Sequence, residues 1–209
     1  MHESVLPKHS LALLTAIGRA RAPEFAGWIL AGGTGLALQL GHRTSESFGF
    51  FRTDAFDVRA LHEPLSRLGA YETLQDAEHT LTVLIRNTKL SFFRVREPFL
   101  FPPSPHRFFA VADRRDIALM KLAAVAGRGS RKDFVDLYLL LQEPPGLAEV
   151  FALLRRKHDP RRLNLYHVLR SLTYFEDAEA EPMPRMLVPF RWPHCKAFFV
   201  REARAIVLD

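Results

Sequence analysis

The sequence predicts an α/β fold of the α+β type, a small mixed or antiparallel sheet flanked by helices, from three observations. Strand-like and helix-like patterns alternate through the first half of the chain. A proline-rich segment, Pro98 to His106, then interrupts both patterns. From Asp113 onward almost only helical periodicity follows. We therefore predict a sheet-containing half, residues 1–110, and a helical half, residues 111–209, packed against each other as one unit.

The elements of the first half follow in order from their apolar patterns. A first helix is predicted over residues 7–20, where Leu11, Leu14 and Ile17 recur at helical spacing. Asp54 is the predicted N-cap of the third helix. The other predicted ranges are 28–30 and 47–51 for two strands, 34–40 and 55–68 for the second and third helices, and 80–86 and 89–95 for a hairpin that turns at Asn87 and Thr88.

The second half begins after the proline-rich segment, which we expect to lack regular structure because Pro102, Pro103 and Pro105 remove backbone donors. Helical periodicity resumes beyond it. The predicted helices span about 113–126, 131–142, 146–157 and 161–174, with a last one through the 190s.

Gly32 and Gly33 stand between the first strand and Thr34, which opens the second helix. Glycines at a helix start let backbone N–H groups approach a phosphate, helped by the partial positive charge there. A glycine pair before a helix is also a common tight turn. The strand before it, the helix after it and the polar segment HRTSE favour the phosphate site. We predict that Gly32, Gly33 and Thr34 bind nucleotide phosphates, with Arg43 and Ser45 near the same mouth.

Composition limits the setting of the protein. Hydrophobic residues make up 48% and charged residues 25% of the chain, as in soluble globular proteins. Apolar runs are shorter than the about 20 residues of a membrane span, and the N-terminus lacks a secretory pattern. Cys195 is the single cysteine, which excludes an internal disulfide and a Cys-rich zinc site, and we interpret it as a packing residue. We expect a soluble, cytoplasmic protein with no membrane association.

The net charge of +6 is concentrated in two regions. A basic patch would attract the phosphates of a nucleic acid, whereas the alternative is a solvated helix face near Pro160, and both interpretations stay open. Few aromatic residues interleave, so a single-strand stacking platform is not indicated. The clustered residues are Arg128, Arg131, Lys132, Arg155, Arg156, Lys157, Arg161, Arg162 and Arg170.

Most of the chain resembles the AbiEii/AbiGii-type toxins, nucleotidyltransferase-fold proteins usually encoded beside an antitoxin. The stretches that carry the resemblance are GGTGLALQLGHRTSESFGFF, ADRRDIALMKLAAVAGRGSRKDFVDLYLLL and, more weakly, YFEDAEAEPMPRML and WPHCKAFF. The resemblance implies a nucleotidyltransferase fold, a nucleoside triphosphate as substrate or ligand, and transfer of a nucleoside monophosphate to tRNA, another RNA or a protein hydroxyl. It also implies an antitoxin as a protein partner.

The chain departs from the family pattern at the metal-binding positions. The family has Asp-x-Asp after the His-Arg-x-Ser segment, and the matching residues here are Ser47 and Gly49. Side chains two apart in a strand share a face, so both positions point the same way. Ser91 stands in the hairpin strand where a third acid would come from. Two-metal phosphoryl transfer needs several carboxylate oxygens, so we expect magnesium only if a displaced acidic site exists.

Glu46, Asp54 and Asp57 are the carboxylates close in sequence to this strand. Asp54 and Asp57 have the spacing of a helix start, where side-chain oxygens accept from free N–H groups, and Glu46 should face away from Ser47. We favour helix capping over metal binding for the two aspartates.

Lys121 lies within an apolar stripe of the predicted helix 113–126. The resemblance places Lys121, Asp133 and Asp136 in the active-site set. A lysine can neutralise a transferring phosphate, and an aspartate can orient it or accept a proton from the acceptor. Alternatively, Lys121 reaches solvent at the edge of the stripe and Asp133 forms a capping box with Ser130. We favour the cap for Asp133 and the site for Lys121 with Asp136.

Three functions are compatible with these residues. The preferred one is a toxin-family nucleotidyltransferase fold with an impaired metal site that retains nucleotide or RNA binding. The second is an active transferase that uses displaced carboxylates such as Glu46 or Asp54. The third is a non-enzymatic protein that pairs with an antitoxin-like partner or with itself.

Overall fold

A seven-stranded sheet organises residues 1–113, the first of two compact units into which the chain divides. The second unit, residues 114–209, is helical. The computed structural model describes residues 1–107, 109–159 and 163–208. The predicted α/β class is confirmed. The sequence analysis places the boundary between the two halves after residue 110, and the two compact units of the structure meet in sequence after residue 113.

The strands of the sheet are β1 (Ile29–Ala31), β2 (Ser47–Arg52), β3 (Tyr71–Ala77), β4 (Thr80–Ile85), β5 (Thr88–Arg94), β6 (Ser104–His106) and β7 (Phe109–Val111). They lie side by side in the order β3-β4-β5-β2-β1-β7-β6. The pairs β1 with β7 and β2 with β5 are parallel, and the other pairs are antiparallel.

The helices of the first unit are α1 (Lys8–Ala20), α2 (Gly32–Leu40) and α3 (Val58–Ser66). Those of the second unit are α4 (Arg114–Arg128), α5 (Arg131–Leu140), α6 (Leu147–Lys157), α7 (Leu165–Ser171), α8 (Glu176–Ala180) and α9 (Trp192–Ala205). The prediction of a helix over 161–174 is met by α7, which Asn164 caps by accepting from the N–H of His167 at 2.9 Å. Residues 161 and 162 of that prediction lie outside the described residues.

One face of the sheet forms the core of the first unit together with apolar residues of α1 and α3. Phe50 and Phe92 stack there at 5.4 Å between ring centroids, and Phe48 is 1% exposed. Burial of each such ring contributes about 2–3 kcal/mol. Side chains alternate along a strand, and Ser47, Gly49 and Ser91 are next in sequence to these buried phenylalanines. Ser47, Gly49 and Ser91 therefore lie on the opposite face of the sheet.

The third helix begins later than the sequence predicts. Asp57, not Asp54, is its N-cap and accepts from the N–H of Arg59 at 2.9 Å. The preceding residues are held outside the helix because Phe56 packs edge-on against Trp28, with ring centroids 4.8 Å apart. Asp54 is exposed and lies 3.7 Å from Arg52.

The hairpin of β4 and β5 is confirmed, but its turn residues are Arg86 and Asn87, not Asn87 and Thr88. Both have positive φ, 50° and 59°, as a two-residue turn between twisted strands requires. Three strands were not predicted: β3, β6 and the short strand β7. The edge strand β3 is almost entirely exposed, and β6 lies within the proline-rich segment that we expected to be irregular. Pro105 is tolerated there because an edge strand leaves N–H groups unpaired.

Candidate nucleotide site

The first turn of α2 begins at Gly32, directly after β1 ends at Ala31. Gly32 has φ of +64°, a left-handed conformation that favours glycine. A Cβ added at this position would meet nothing within 4 Å, so the space beside the backbone is open. Because Gly32 and Gly33 form the first turn of α2, the backbone N–H groups of this turn can face a phosphate-sized anion.

Thr34 is 2% exposed and links α2 to β2 by a hydrogen bond. Its hydroxyl donates to the Ser47 carbonyl oxygen and lies 2.6 Å from Ser45 Oγ. The proton of this hydroxyl is therefore used inside the protein, and Thr34 supports the helix start instead of donating its hydroxyl to a phosphate.

Arg43 and Ser45 lie in the connection between α2 and β2 and are 5% and 6% exposed. Arg43 donates from Nη1 to the Thr44 carbonyl oxygen at 2.9 Å. The Ser45 N–H donates to the Val5 carbonyl oxygen at 3.0 Å. Both predicted residues are thus buried, Ser45 in contact with Thr34 and Arg43 hydrogen-bonded to the chain next to it.

The positions expected to hold metal ligands lie together on neighbouring strands. The register of β2 with β5 sets Gly49 opposite Ser91. Ser91 Oγ accepts a hydrogen bond from Thr82 Oγ1 at 3.1 Å, whereas Ser47 is exposed. A Cβ added at Gly49 would lie 3.0 Å from Cε2 of the Phe51 ring, which would have to shift slightly.

These residues do not fit a divalent cation. Magnesium prefers carboxylate oxygens, serine offers a neutral hydroxyl, and glycine has no side chain. Glu46 is exposed just before β2, Asp54 faces solvent near Arg52, and Asp57 caps α3. Throughout the described part of the chain, no three His, Cys, Asp or Glu side chains form a group that could hold a metal ion.

A second polar cluster lies in the helical unit, between α4 and α5. Lys121 Nζ is 2.8 Å from Asp133 Oδ1 and 2.6 Å from Asp136 Oδ2. The two aspartates are fully buried, and the lysine side chain is 5% exposed. Asp133 Oδ2 also accepts from Arg128 Nε at 2.7 Å and from Ser130 Oγ at 3.1 Å. The sequence brings these groups together because α4 ends at Arg128 and α5 starts three residues later.

Two of the alternatives for this cluster are wrong. Lys121 does not reach solvent, since the two carboxylates hold it inside. Asp133 does not form the predicted capping box, because within the described residues the Ser130 side chain makes no capping hydrogen bond and donates to the carboxylate instead. Arg128, which the sequence assigned to the basic patch, is a further member of the cluster that was missed.

The ion pairs determine the charge state of the cluster. Burial opposes ionisation of Asp133, but the Lys121 charge and the hydrogen bonds from Arg128 and Lys121 outweigh it, so the pKa of Asp133 lies below its ordinary value. The hydrogen bond to Asp133 raises the pKa of Arg128. The cluster thus sets the side chains of Lys121 and Arg128 against those of Asp133 and Asp136. Lys121 has three N–H donors and two acceptors here, which leaves one donor for a ligand.

The basic residues around α6 do not all face outward. Lys157 Nζ is 2.9 Å from the buried Asp116, so this lysine ties α6 to α4. Arg155, Arg156 and Arg170 are exposed. The other two basic residues predicted here, Arg161 and Arg162, lie outside the described residues.

Cys195 is fully buried in α9, and its Sγ lies 3.8 Å from the Phe134 carbonyl oxygen. Burial raises the pKa of this thiol far above its ordinary value, which disfavours the thiolate. The interpretation as a packing residue is confirmed. No helix among the described residues is both long and apolar enough to cross a membrane.

The fold built by these elements is that of the nucleotidyltransferases. MenT4, a nucleotidyltransferase toxin of Mycobacterium tuberculosis, is similar with a TM-score of 0.57 at 14% identity, covering 97% of this chain and 88% of that one. JHP933 from Helicobacter pylori is similar with a TM-score of 0.55 at 16% identity, covering 96% and 92% of the two chains.

Sequence comparison then gives the family. The model of the nucleotidyl transferase AbiEii toxin family of type IV toxin–antitoxin systems matches residues 13–202. An uncharacterized protein of Aquifex aeolicus is 35% identical over 180 residues, which cover 84% of this chain and 85% of that protein. The chain belongs to the AbiEii toxin family, as the sequence predicts, and membership in a toxin–antitoxin family implies an antitoxin partner.

Proposed function

We propose that this chain is a nucleotide- or RNA-binding member of its family in which nucleotidyl transfer is impaired. The observation that carries the proposal is the face formed by Ser47 and Gly49 of β2 and Ser91 of β5. Adjacent register positions there hold two hydroxyls and a glycine, which cannot hold two metal ions against a triphosphate. The open backbone at Gly32 supports binding of a phosphate without requiring those ions.

Displaced carboxylates are a weaker basis for function. Asp57 uses its carboxylate to cap α3, and Asp54 is 81% exposed beside Arg52. Two-metal chemistry needs carboxylates that converge on one point, and these two serve local contacts. The alternative of an active transferase to tRNA or protein therefore rests on Glu46 alone among the nearby acids.

Lys121 with Asp133 and Asp136 is proposed as a polar cluster of the helical unit that contributes to phosphate binding. Lys121 has one N–H donor beyond its two carboxylate partners, and a phosphate oxygen would reach it through the 5% of its side chain that is exposed. Asp136 orients the ammonium by holding it at 2.6 Å. Asp133 acts through Lys121 and Arg128, so we assign it a positioning role instead of contact with substrate.

RNA binding is supported by the exposed arginines Arg155, Arg156 and Arg170. Guanidinium groups in this setting bind phosphates through charge-assisted hydrogen bonds. A reducing cytoplasm is the compartment we propose, because the chain has one cysteine.

Restoring the missing carboxylates tests the proposal directly. A chain with Ser47→Asp and Gly49→Asp is compared with the wild type for magnesium-dependent transfer of label from α-labelled triphosphates to bulk tRNA. We expect nucleotide binding by both chains in calorimetry and transfer by the aspartate variant alone. The variant Ser47→Asn with Gly49→Asn is the matched control, since it crowds Phe51 equally but adds no charge.

Two results would contradict the proposal. Transfer of label by the wild type would show that other carboxylates support catalysis. Lack of nucleotide and RNA binding by the folded wild type would leave a protein that acts only through partner proteins.

A further inference from the structure

Lys89 occupies a position on the site face that the sequence did not single out. The parallel register of β2 with β5 places it directly beside Ser47, two residues from Ser91. On its other side, the register of β4 with β5 places Leu84. Paired residues of adjacent strands project from the same face, so Lys89 stands on the face that carries Gly49 and Ser91.

The charge of Lys89 is not neutralised by the strands around it. No Asp or Glu is present in β2, β4 or β5, all three of which the structure describes in full. Lys121, Lys157 and Lys196 are each held in an ion pair, whereas exposed Lys89 makes none with the described residues. Lys89 is thus a cation whose directly paired neighbours, Ser47 and Leu84, are uncharged, and it lies next to the positions where acids would hold a metal ion. The carboxylate on the same face, Glu72 of β3, lies beyond Leu84 on the side away from Ser47.

Lys89 is also within reach of the start of α2. Adjacent strands lie about 5 Å apart, so the Lys89 backbone is one strand spacing from Ser47. The Ser47 carbonyl oxygen in turn accepts from Thr34, in the first turn of α2. The flexible four-carbon stem of a lysine can cross the exposed Ser47 side chain towards a phosphate at Gly32 and Gly33.

This arrangement reverses the electrostatics of a metal-dependent site. Where carboxylates face a triphosphate, both are negative, and the metal ion is needed to hold them together. Where hydroxyls and an ammonium face it, attraction is direct and a bound metal ion reduces it, because the ion lowers the negative charge of the ligand. We propose that Lys89 contacts the phosphates of the bound nucleotide in place of a metal ion, so that the site prefers the metal-free triphosphate. This inference rests on the proposed function.

Calorimetry with each ribonucleoside triphosphate, in excess EDTA and in excess magnesium, tests the inference on four full-length chains, the fourth being Lys89→Arg. The wild type is compared with Lys89→Met and with Lys8→Met, which removes an exposed lysine from α1. We expect the wild type to bind more tightly in EDTA than in magnesium. Lys89→Met should weaken binding in EDTA about tenfold, the size of one charge-assisted contact, while Lys8→Met leaves it unchanged and Lys89→Arg restores it.

The remaining outcomes separate this inference from the proposed function. If the wild type binds nucleotide and Lys89→Met binds as Lys8→Met does, Lys89 has no role and the proposed function stands. If binding appears only with magnesium, metal independence is wrong and displaced carboxylates are supported. If the wild type binds no triphosphate in either buffer, nucleotide binding fails and this inference fails with it.

Discussion

Lys121 illustrates how much a single buried charge depends on its partners. Its ammonium is enclosed by Asp133 and Asp136, and Arg128 completes the balance of charge. Taking ions out of water costs several kcal/mol for each, which the mutual attraction of a well-formed cluster offsets. Removal of one member leaves the others buried without compensation.

Lys121→Met is therefore expected to lower the free energy of unfolding by about 3–5 kcal/mol at pH 7. The pKa of Asp133 in the folded state lies below its ordinary value of 3.8, so the stability it contributes is present above that pH and is lost as pH falls through the lowered pKa. The gap between wild type and variant should then narrow towards pH 3. Urea titrations at both pH values measure this, with the exposed Lys132→Met as control. If the difference in free energy of unfolding stays constant with pH, or is below about 1 kcal/mol at pH 7, the cluster does not stabilise the protein as proposed.

At the scale of elements, the start of α3 shows what a cap contributes. Asp57 accepts from Arg59 N–H, while the similar Asp54, three residues earlier, is exposed and outside the helix. Loss of an N-cap carboxylate costs about 1 kcal/mol, since a backbone donor at the helix start loses its partner.

Asp57→Ala should thus lower the free energy of unfolding by about 1 kcal/mol, and Asp54→Ala by less than half as much. Chemical denaturation of the two variants beside the wild type gives the comparison. Equal losses, or a larger loss for Asp54→Ala, would place the helix start where the sequence suggested it.

Elements with a buried face were predictable from sequence, and those without one were not. The helices α1, α4, α5 and α6 carry apolar stripes, β2 has buried phenylalanines at positions 48 and 50, and β5 has buried Leu90 and Phe92 two residues apart. The edge strand β3 is exposed along nearly its whole length, so no hydrophobic alternation marks it.

The candidate site was predictable only in part, for a similar reason. Positions 47 and 49 could be placed on one face by counting in twos, and position 91 was placed beside them by the resemblance to the family. Within β5, the same count from Ser91 reaches Lys89. That Lys89 lies next to Ser47 follows only from the register between β2 and β5, which are separated by the whole of α3 and two strands. The enclosure of Lys121 depends likewise on contacts between two helices, which the periodicity of one helix does not specify.

At the scale of the whole molecule, the two units carry different chemistry. The first holds the glycine-opened helix and the strand face of Ser47, Gly49, Ser91 and Lys89, and the second holds the ion cluster and the exposed arginines of α6 and α7. Binding of RNA by the second unit would be governed by ionic strength, because each phosphate contact releases counterions.

Arg155→Gln with Arg156→Gln should weaken RNA binding and reduce the slope of log affinity against log salt by about 1.4, or roughly 0.7 for each single-strand phosphate contact. Filter binding at several salt concentrations measures the slope. Lys8→Met is the control, because it removes one exposed positive charge from α1 in the other unit without breaking an ion pair among the described residues. An unchanged slope in the arginine variant would place RNA elsewhere or exclude it.

Because Cys195 is the single cysteine and is buried, its chemical labelling reports local opening of the helical unit. Cys195 is buried against Phe134 of α5 and is the one thiol in the sequence. A thiol reagent can therefore label the native chain only when α9 separates from α5. At reagent concentrations high enough for labelling to be faster than reclosing, the labelling rate therefore measures how often the helical unit opens. No engineered probe is needed to follow how a nucleotide, an RNA or an antitoxin changes that frequency.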